Sequence, residues 1–151
     1  MKSNLSKGDI ERLSKELFDD VLEVLDDGME LHGFDYFEGH SLGSVWHATQ
    51  RVGDDFEKRR NAFLWILHRL LREDRIKLHK RGTFLGASID EQTEMFQKAF
   101  PESEEDADKK CTKPGYEAAY EGFGMNVWWF LDICPAGVAW RQPDGSYQIA
   151  D

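Results

Sequence analysis

A long amphipathic segment in the first half of the chain constrains the fold most. Between residues 54 and 75, apolar side chains recur at three- and four-residue intervals, which is typical of a helix that buries one face. The members of this apolar stripe are Phe56, Phe63, Leu67, Leu70 and Leu71. Asp54 or Asp55 can cap the start, and Arg72 and Arg75 suit the negative end of the helix dipole. We therefore predict a central helix that packs against the rest of the molecule.

Other helices are predicted on both sides of this segment. Residues 7–27 form a predicted first helix, with Ser6 and Asp9 as its capping pair, and a short helix runs from Ser41 to about residue 50. Ser88 and Glu91 have the spacing of a capping box, so another helix begins there and ends at Pro101.

Strands are predicted after the central helix and near the C-terminus. Residues 76–85 suggest a hairpin, because Gly82 can supply the positive φ of its turn. The apolar run Met125–Leu131 has no helical period and many β-formers, so we predict a buried strand. Residues 137–142 and 147–150 give two more strands, joined by a turn at residues 143–146.

The predicted fold class is α+β, with three to five helices packed on a small C-terminal antiparallel β-meander and a short hairpin after the central helix. The length of 151 residues favours a single domain spanning 1–151. Within it, residues 102–115 are acidic and then lysine-bearing, with little apolar surface, so we predict a flexible acidic linker. Cys111 and Cys134 are isolated, which favours reduced thiols.

Charge limits the classes of partner. The chain has 29 acidic and 19 basic residues and a net charge of −10, which argues against nucleic acid or an anionic membrane as the main partner and favours a basic one. No apolar stretch approaches the length needed to cross a bilayer, and no signal-peptide pattern is found near Met1. We therefore expect a cytoplasmic protein with no membrane partner.

The charges are also unevenly distributed. Residues 58–81 contain nine Lys or Arg and two acidic residues, a local net charge of +7, so the other residues carry −17. The predicted first helix has an acidic face, in which like charges four residues apart cost about 0.2–0.5 kcal/mol per pair. We predict this face as the partner-binding site; its residues are Glu16, Asp19, Asp20, Glu23, Asp26 and Asp27.

Four ordered blocks of sequence resemble a known family. They are EGHSLGSVW at 38–46, AFLWILHRLLREDRIKL at 62–78, FLGASIDEQTEMFQKAFP at 84–101 and WWFLDICPAGVAW at 128–140. The chain resembles the small bacterial proteins known as domain of unknown function 596 (DUF596). This resemblance implies no catalytic residues. It implies the context of antitoxin or immunity proteins found beside contact-dependent and other polymorphic toxin genes.

We therefore expect a non-enzymatic immunity protein of contact-dependent growth inhibition or a related system. It would bind a cognate toxin domain, such as a basic nuclease, and occlude its cationic active site. The sequence indicates no cofactor, catalytic residue or metal ligand set.

Two alternatives stay open. The first is a winged-helix-like nucleic-acid-associated regulator that uses the basic segment 58–81, with phosphate contacts from Arg59, Arg60, Arg69, Arg72, Lys77, Lys80 and Arg81. The other role that we consider for these basic residues is to neutralise acidic groups of the same chain.

The second alternative is a metal-dependent enzyme with a His/carboxylate site. Its candidate ligands are His32, His40 and His47, with Asp35 and Glu38 nearby, although their spacing is not diagnostic. His68 and His79 have basic neighbours and are predicted at the surface or at a helix end.

Overall fold

A computed structural model describes residues 5, 6, 8, 9, 12, 13, 32–111 and 124–150 of the chain, with the backbone alone at 32–34 and 128. The helices are a 3₁₀-helix at His32–Phe37, α1 at Leu42–Ala48 with a 3₁₀ extension at Thr49–Val52, α2 at Phe56–Arg72, α3 at Ile89–Ala99, α4 at Glu104–Cys111 and a π-helix at Gly124–Ile133. The strands are β1 at Ile76–Lys80, β2 at Thr83–Phe84, β3 at Gly137–Arg141 and β4 at Tyr147–Ile149.

The central helix predicted from the sequence is α2. Its N-cap is Asp55, whose side chain accepts hydrogen bonds from the backbone N–H groups of Glu57 and Lys58 at 2.9 and 3.3 Å. The apolar stripe is buried, and Phe63 and Leu67 are both 0% exposed. The local pattern therefore predicted both the start of this helix and its packed face.

Two capping boxes define other helix starts. Ser88 accepts from the Glu91 N–H, and Glu91 accepts from the Ser88 N–H, at the start of α3. Ser6 and Asp9 make the same reciprocal bonds, both at 3.2 Å, before a helical turn. This confirms the predicted start of the first helix, whereas most of 7–27 lies outside the described residues.

One antiparallel sheet unites the two predicted β regions. Its strand order is β2-β1-β3-β4, and Ile76 of β1 lies opposite Trp140 of β3. The hairpin between β1 and β2 turns at Arg81 and Gly82, whose φ angles are 53° and 87°. Two consecutive positive φ angles are the requirement of a tight hairpin turn. The α+β class and the hairpin after the central helix are confirmed.

The strand predicted at Met125–Leu131 is wrong, because this run lies within the π-helix. Met125 and Trp129 are buried, and the Cys134 N–H donates to the Trp129 carbonyl five residues earlier at 2.8 Å. A short apolar run without a period does not distinguish a strand from a helix covered by several neighbours. The π-helix packs against α4 and α1.

The linker predicted at 102–115 contains a helix, α4, so the expectation of an irregular segment is wrong for Glu104–Cys111. Ser103 accepts from the Asp106 N–H at 3.0 Å, which caps the first turn. A short helix needs only a small apolar face, and Ala107 supplies it at 0% exposure. The flexibility of 102–115 and the single-domain organisation stay predictions.

Gly124 lets the π-helix approach α4 closely. A Cβ atom at this position would overlap the backbone carbonyl of Ala107, and the Gly124 N–H donates to Asp108 at 2.9 Å. A glycine is therefore required by the contact between these two helices.

Tryptophans connect the elements of the core. Trp129 lies 4.7 Å from Phe100 between ring centroids, and its indole N–H donates to the Ala99 carbonyl at 3.2 Å. The indole N–H of Trp140 donates to the His40 carbonyl at 2.8 Å, which ties the sheet to the segment before α1. Each large ring thus combines apolar burial with a satisfied polar group.

Candidate functional site

The predicted partner-binding face on the first helix lies outside the described residues. Its members are Glu16, Asp19, Asp20, Glu23, Asp26 and Asp27. Their role therefore stays a prediction. The surfaces that the structure describes are those formed by residues 32–111 and 124–150.

The basic segment 58–81 is largely neutralised by the chain's own carboxylates. Arg59 pairs with Glu104 at 2.6 Å, and its side chain is 8% exposed. Arg69 pairs with Glu73 at 3.4 Å, with 4% of its side chain exposed. Arg75 reaches Asp35 at 2.9 Å. All three arginines form internal ion pairs, and those of Arg59 and Arg75 join separate elements.

Burial of Arg59 and Arg69 contradicts their predicted use as phosphate contacts in a winged-helix reader. A phosphate contact needs a guanidinium that the nucleic acid can reach. Arg59 is instead 5.9 Å from the ring centroids of Trp46 and Phe56, inside the molecule. The structure thus favours internal neutralisation for these two side chains.

The hairpin holds the exposed remainder of the basic segment. Lys80 and Arg81 are exposed at its tip. Lys77 lies over the rings of Phe84 and Tyr147, with its Nζ atom 5.3 and 4.6 Å from their centroids. Such cation–π contacts hold the Lys77 side chain against the sheet. The cations at the tip, Lys80 and Arg81, are therefore more accessible to a ligand than Lys77 is.

Helix α3 presents an acidic outer face. Its exposed acidic residues are Asp90, Glu91 and Glu94, and the exposed fraction of Met95 beside them is 38%. The hydrogen bond from His68 Nε2 at 2.9 Å lowers the pKa of Asp90, so this carboxylate stays ionised well into the acidic range. Lys98 pairs with Glu94 at 3.5 Å, so the negative charge of this face comes mainly from Asp90 and Glu91, and Met95 adds an exposed apolar side chain.

The acidic residues of α4 are partly neutralised within the helix. Lys109 pairs with Glu105 and Lys110 with Asp106, both at 3.1 Å. The Glu102 N–H and Lys110 lower the pKa of Asp106 by hydrogen bonding to its charged form. These ion pairs reduce the net negative charge that α4 presents to a partner.

The histidines differ from the sequence-based expectations. His68 and His79 were expected at the surface or at a helix end, but they are buried within α2 and β1, with 8% and 4% of their surface exposed. His68 bonds Asp90, and His79 Nδ1 accepts from the Gly82 N–H at 3.1 Å, so each has a local structural role. Both residues have basic neighbours in the sequence, but the periodicity of the helix and of the strand places the two imidazole rings on the buried side. A basic neighbour is therefore not a sign of a surface position here.

The proposed His/carboxylate metal ligands do not form a recognisable centre. His40 and His47 are exposed, and the His40 ring stacks on Tyr36 at 6.1 Å. Across the residues that the structure describes, no group of three or more His, Cys, Asp or Glu side chains is arranged to hold a metal ion. The side chain of His32 lies outside this description.

Cys111 lies at the end of α4 and is half-buried. Burial raises the pKa of its thiol, and the nearby Asp106 carboxylate acts in the same direction. A raised pKa lowers the fraction of reactive thiolate at neutral pH. The environment of Cys111 is therefore unlike that of an activated nucleophile.

A cleft of about 770 Å³ separates α1, the hairpin tip and the π-helix. Ser41 and Ser44 lie on the α1 side, and Lys80 and Arg81 on the hairpin side. The remaining wall comes from the π-helix and from residues 134–137. Leu131, on this wall, is 68% exposed, which is unusual for a large apolar side chain.

The family described as "Protein of unknown function, DUF596" matches residues 71–149, slightly more than half of the chain. The chain belongs to the DUF596 family. A solved structure of an uncharacterized protein conserved in bacteria, from Neisseria meningitidis, is similar to this chain. The two share 27% identity, the similarity covers 71% of this chain and 73% of that chain, and the TM-score is 0.54.

No curated protein matches the chain, and the family and the Neisseria neighbour indicate no enzyme class. None of the helices in the described ranges has both the length and the apolarity that a bilayer crossing requires. The DUF596 match includes the hairpin tip, the π-helix and residues 134–137, so two of the cleft's walls lie inside it.

Sequence reasoning did not find the cleft. Its walls come from three separated segments, and one of them was predicted as a strand. Residues 134–137 also line this cleft. The one available signal was the basic Gly-tipped hairpin, which was interpreted as a nucleic-acid wing.

Proposed function

We propose that this DUF596 protein is an immunity protein that binds a cationic toxin domain and occludes its active site. The binding would be non-enzymatic and would neutralise the toxin as long as the complex persists. The family resemblance supplies the toxin context, and the distribution of charge supplies the physical support.

The observation that carries the proposal is that two arginines of the basic segment are buried in ion pairs, while the outer face of α3 is acidic. The side chains of Arg59 and Arg69 are 8% and 4% exposed, and the side chain of Asp90 is 75% exposed. Because each of the two arginines is paired with a carboxylate, neither presents an uncompensated positive charge at the surface. A chain of net charge −10 with this arrangement attracts basic partners and repels nucleic acid.

Helix α3 adds a described acidic surface to the predicted face on the first helix. Met95 and Gln97 are exposed beside Glu94, so the surface offers an apolar contact within a negative field. Interfaces commonly combine a methionine or aromatic contact with surrounding charge. Charge would steer the encounter, and buried apolar contact would slow dissociation.

The test is co-purification with the polypeptide encoded by the adjacent gene, followed by a growth-protection assay in cells that express that polypeptide. The proposal predicts a stable complex between the two chains and protection of the cells. Recovery of nucleic acid that moderate salt removes would instead support the regulator alternative, because phosphate contacts release counterions. Growth arrest despite expression of the folded protein would contradict the proposal.

A further inference from the structure

The cleft between α1, the hairpin tip and the π-helix has the dimensions of a small-molecule site. Its volume of about 770 Å³ lies within the range of about 300–1,000 Å³ that is usual for such sites. A π-helix lines one wall, and π-helical segments occur frequently at functional sites. Helix α3 contributes none of the described lining residues.

Hydrogen-bond donors line the cleft. The Asn126 side-chain oxygen accepts from the Trp46 indole N–H at 2.7 Å, which fixes the orientation of the amide because an indole can only donate. The Asn126 amide nitrogen is left as a donor. Ser41 precedes α1, and its hydroxyl makes no capping bond to that helix. Ser44 and His47 add further hydroxyl and imidazole groups.

Positive charge is concentrated at one edge of the cleft. Lys80 and Arg81 both line it and are exposed, and no ion pair joins either side chain to another residue in the described part of the chain. Asp132 is the acidic residue among the described lining residues. In a protein of net charge −10, an edge with two cations and unengaged donors is a local site for an anion.

The π-helix wall adds apolar side chains to the lining, between the polar residues Asn126 and Asp132. These apolar residues are Val127, Phe130 and Leu131. Leu131 is 68% exposed, so burying it against a ligand would remove apolar surface from water. A ligand that satisfies both walls needs an anionic head and an apolar body.

We propose that this cleft binds an organic anion in which a carboxylate or phosphate head is joined to a short apolar body. The head lies at Lys80 and Arg81, within reach of the donors on α1, and the body lies against Leu131 and Phe130. This site is separate from the acidic face of α3, and the inference does not depend on the proposed immunity function.

The probe is 8-anilinonaphthalene-1-sulfonate, an anionic apolar dye whose fluorescence rises when it leaves water. We expect saturable binding to the native full-length protein. Octanoate or octyl phosphate should displace the dye, and the more effective of the two identifies the head group. Inorganic phosphate and octyltrimethylammonium should not displace it, because each lacks one half of the required chemistry. Displacement of the dye by octyltrimethylammonium would overturn the proposal. Failure of both octanoate and octyl phosphate to displace the dye would overturn it as well.

Two variants locate the site. Lys80→Gln with Arg81→Asn should weaken dye binding about tenfold or more, and Asn suits the positive φ of position 81. The matched control is Lys98→Gln with Lys109→Gln, which also removes two positive charges but at positions outside the cleft. This control should bind the dye as tightly as wild type does. Leu131→Glu, at an exposed position, places a negative charge on the apolar wall and should abolish displacement by octanoate. Equal dye binding by all four proteins, with unchanged circular dichroism, would refute the assignment.

Discussion

Replacing Trp140 tests whether the sheet is held to the helical part of the molecule through this one side chain. Trp140 is 2% exposed and lies opposite Ile76 and Gln148 on the neighbouring strands. Its indole N–H also donates to the His40 carbonyl at 2.8 Å. Truncation of a buried large aromatic side chain costs about 3–5 kcal/mol, so Trp140→Ala should lower the free energy of unfolding by that amount.

Trp140→Phe separates the contribution of ring burial from that of the hydrogen bond to the His40 carbonyl. The ring and most of the burial remain, while the hydrogen bond to His40 is lost, which is worth about 0.5–1.5 kcal/mol. We therefore expect Trp140→Phe to cost about 1–2 kcal/mol once a small cavity is included. The control is Leu131→Ala, because Leu131 is 68% exposed and its truncation should change stability by about 0.5 kcal/mol or less.

The assay is urea denaturation followed by far-UV circular dichroism, which does not depend on tryptophan fluorescence. Thermal melting gives a second readout of the same variant. For a protein of this size, each kcal/mol of lost unfolding free energy lowers the Tm by about 2–4 °C, so the Tm of Trp140→Ala should lie about 6–20 °C below that of wild type. A loss below about 1 kcal/mol for Trp140→Ala would show that the indole is accessible in solution and would refute the assigned packing.

Three other changes test the packing of the helices. Gly124→Ala should cost about 1–3 kcal/mol because the added methyl group overlaps the α4 backbone, whereas Gly86→Ala, with nothing within 4 Å, should be close to neutral by thermal melting. Glu104→Gln should cost about 1–2 kcal/mol by leaving the buried Arg59 without its ion pair, whereas Glu105→Gln removes an exposed pair and should cost about 0.5 kcal/mol or less in urea titration. Asp90→Asn should make the free energy of unfolding less dependent on pH in the acidic range. Because the pKa of Asp90 is lowered in the folded protein, its carboxylate stabilises the fold above the ordinary carboxyl pKa of about 3.9. That stabilisation is lost as the pH falls through the lowered pKa of the folded protein. The stability difference between Asp90→Asn and wild type should therefore be present at pH 7 and vanish at low pH, and a difference that persists below pH 2 would contradict the His68–Asp90 assignment.

The sequence was informative where a structure is set by neighbouring residues. Asp55 and Ser88 accept hydrogen bonds from backbone N–H groups two or three positions away, and Gly82 adopts a positive φ itself, so these caps and this tight turn could be predicted without knowing the fold. The α+β class followed from the alternation of such helix and hairpin signals.

The sequence was insufficient where distant contacts decide the outcome. Residues 125–131 are apolar except for Asn126 and show no helical period, and their helical structure goes with their contacts to α4 and α1. Burial of Arg59 depends on Glu104, 45 positions later, and local charge counting cannot reveal that pairing. For the same reason the basic segment resembled a nucleic-acid wing, and the cleft remained hidden.

The central claim is that acidic surface charge drives binding to a cationic toxin. The most direct measurement is the association rate with the cognate toxin at low and at physiological ionic strength, for wild type and for the variant Asp19→Lys, Asp20→Lys, Glu23→Lys. A control with the same change in net charge is Asp54→Lys, Glu102→Lys, Glu105→Lys, which alters acidic groups elsewhere. Circular dichroism establishes that each variant is folded.

We expect the first-helix variant to associate at least tenfold more slowly than wild type at low salt, and we expect added salt to reduce this difference. The association rate of the control should fall much less. The first-helix variant should also bind more weakly by several kcal/mol, because attraction is replaced by repulsion. An association rate equal to wild type at both ionic strengths, with protection of toxin-expressing cells intact, would contradict the claim that this acidic face binds the toxin.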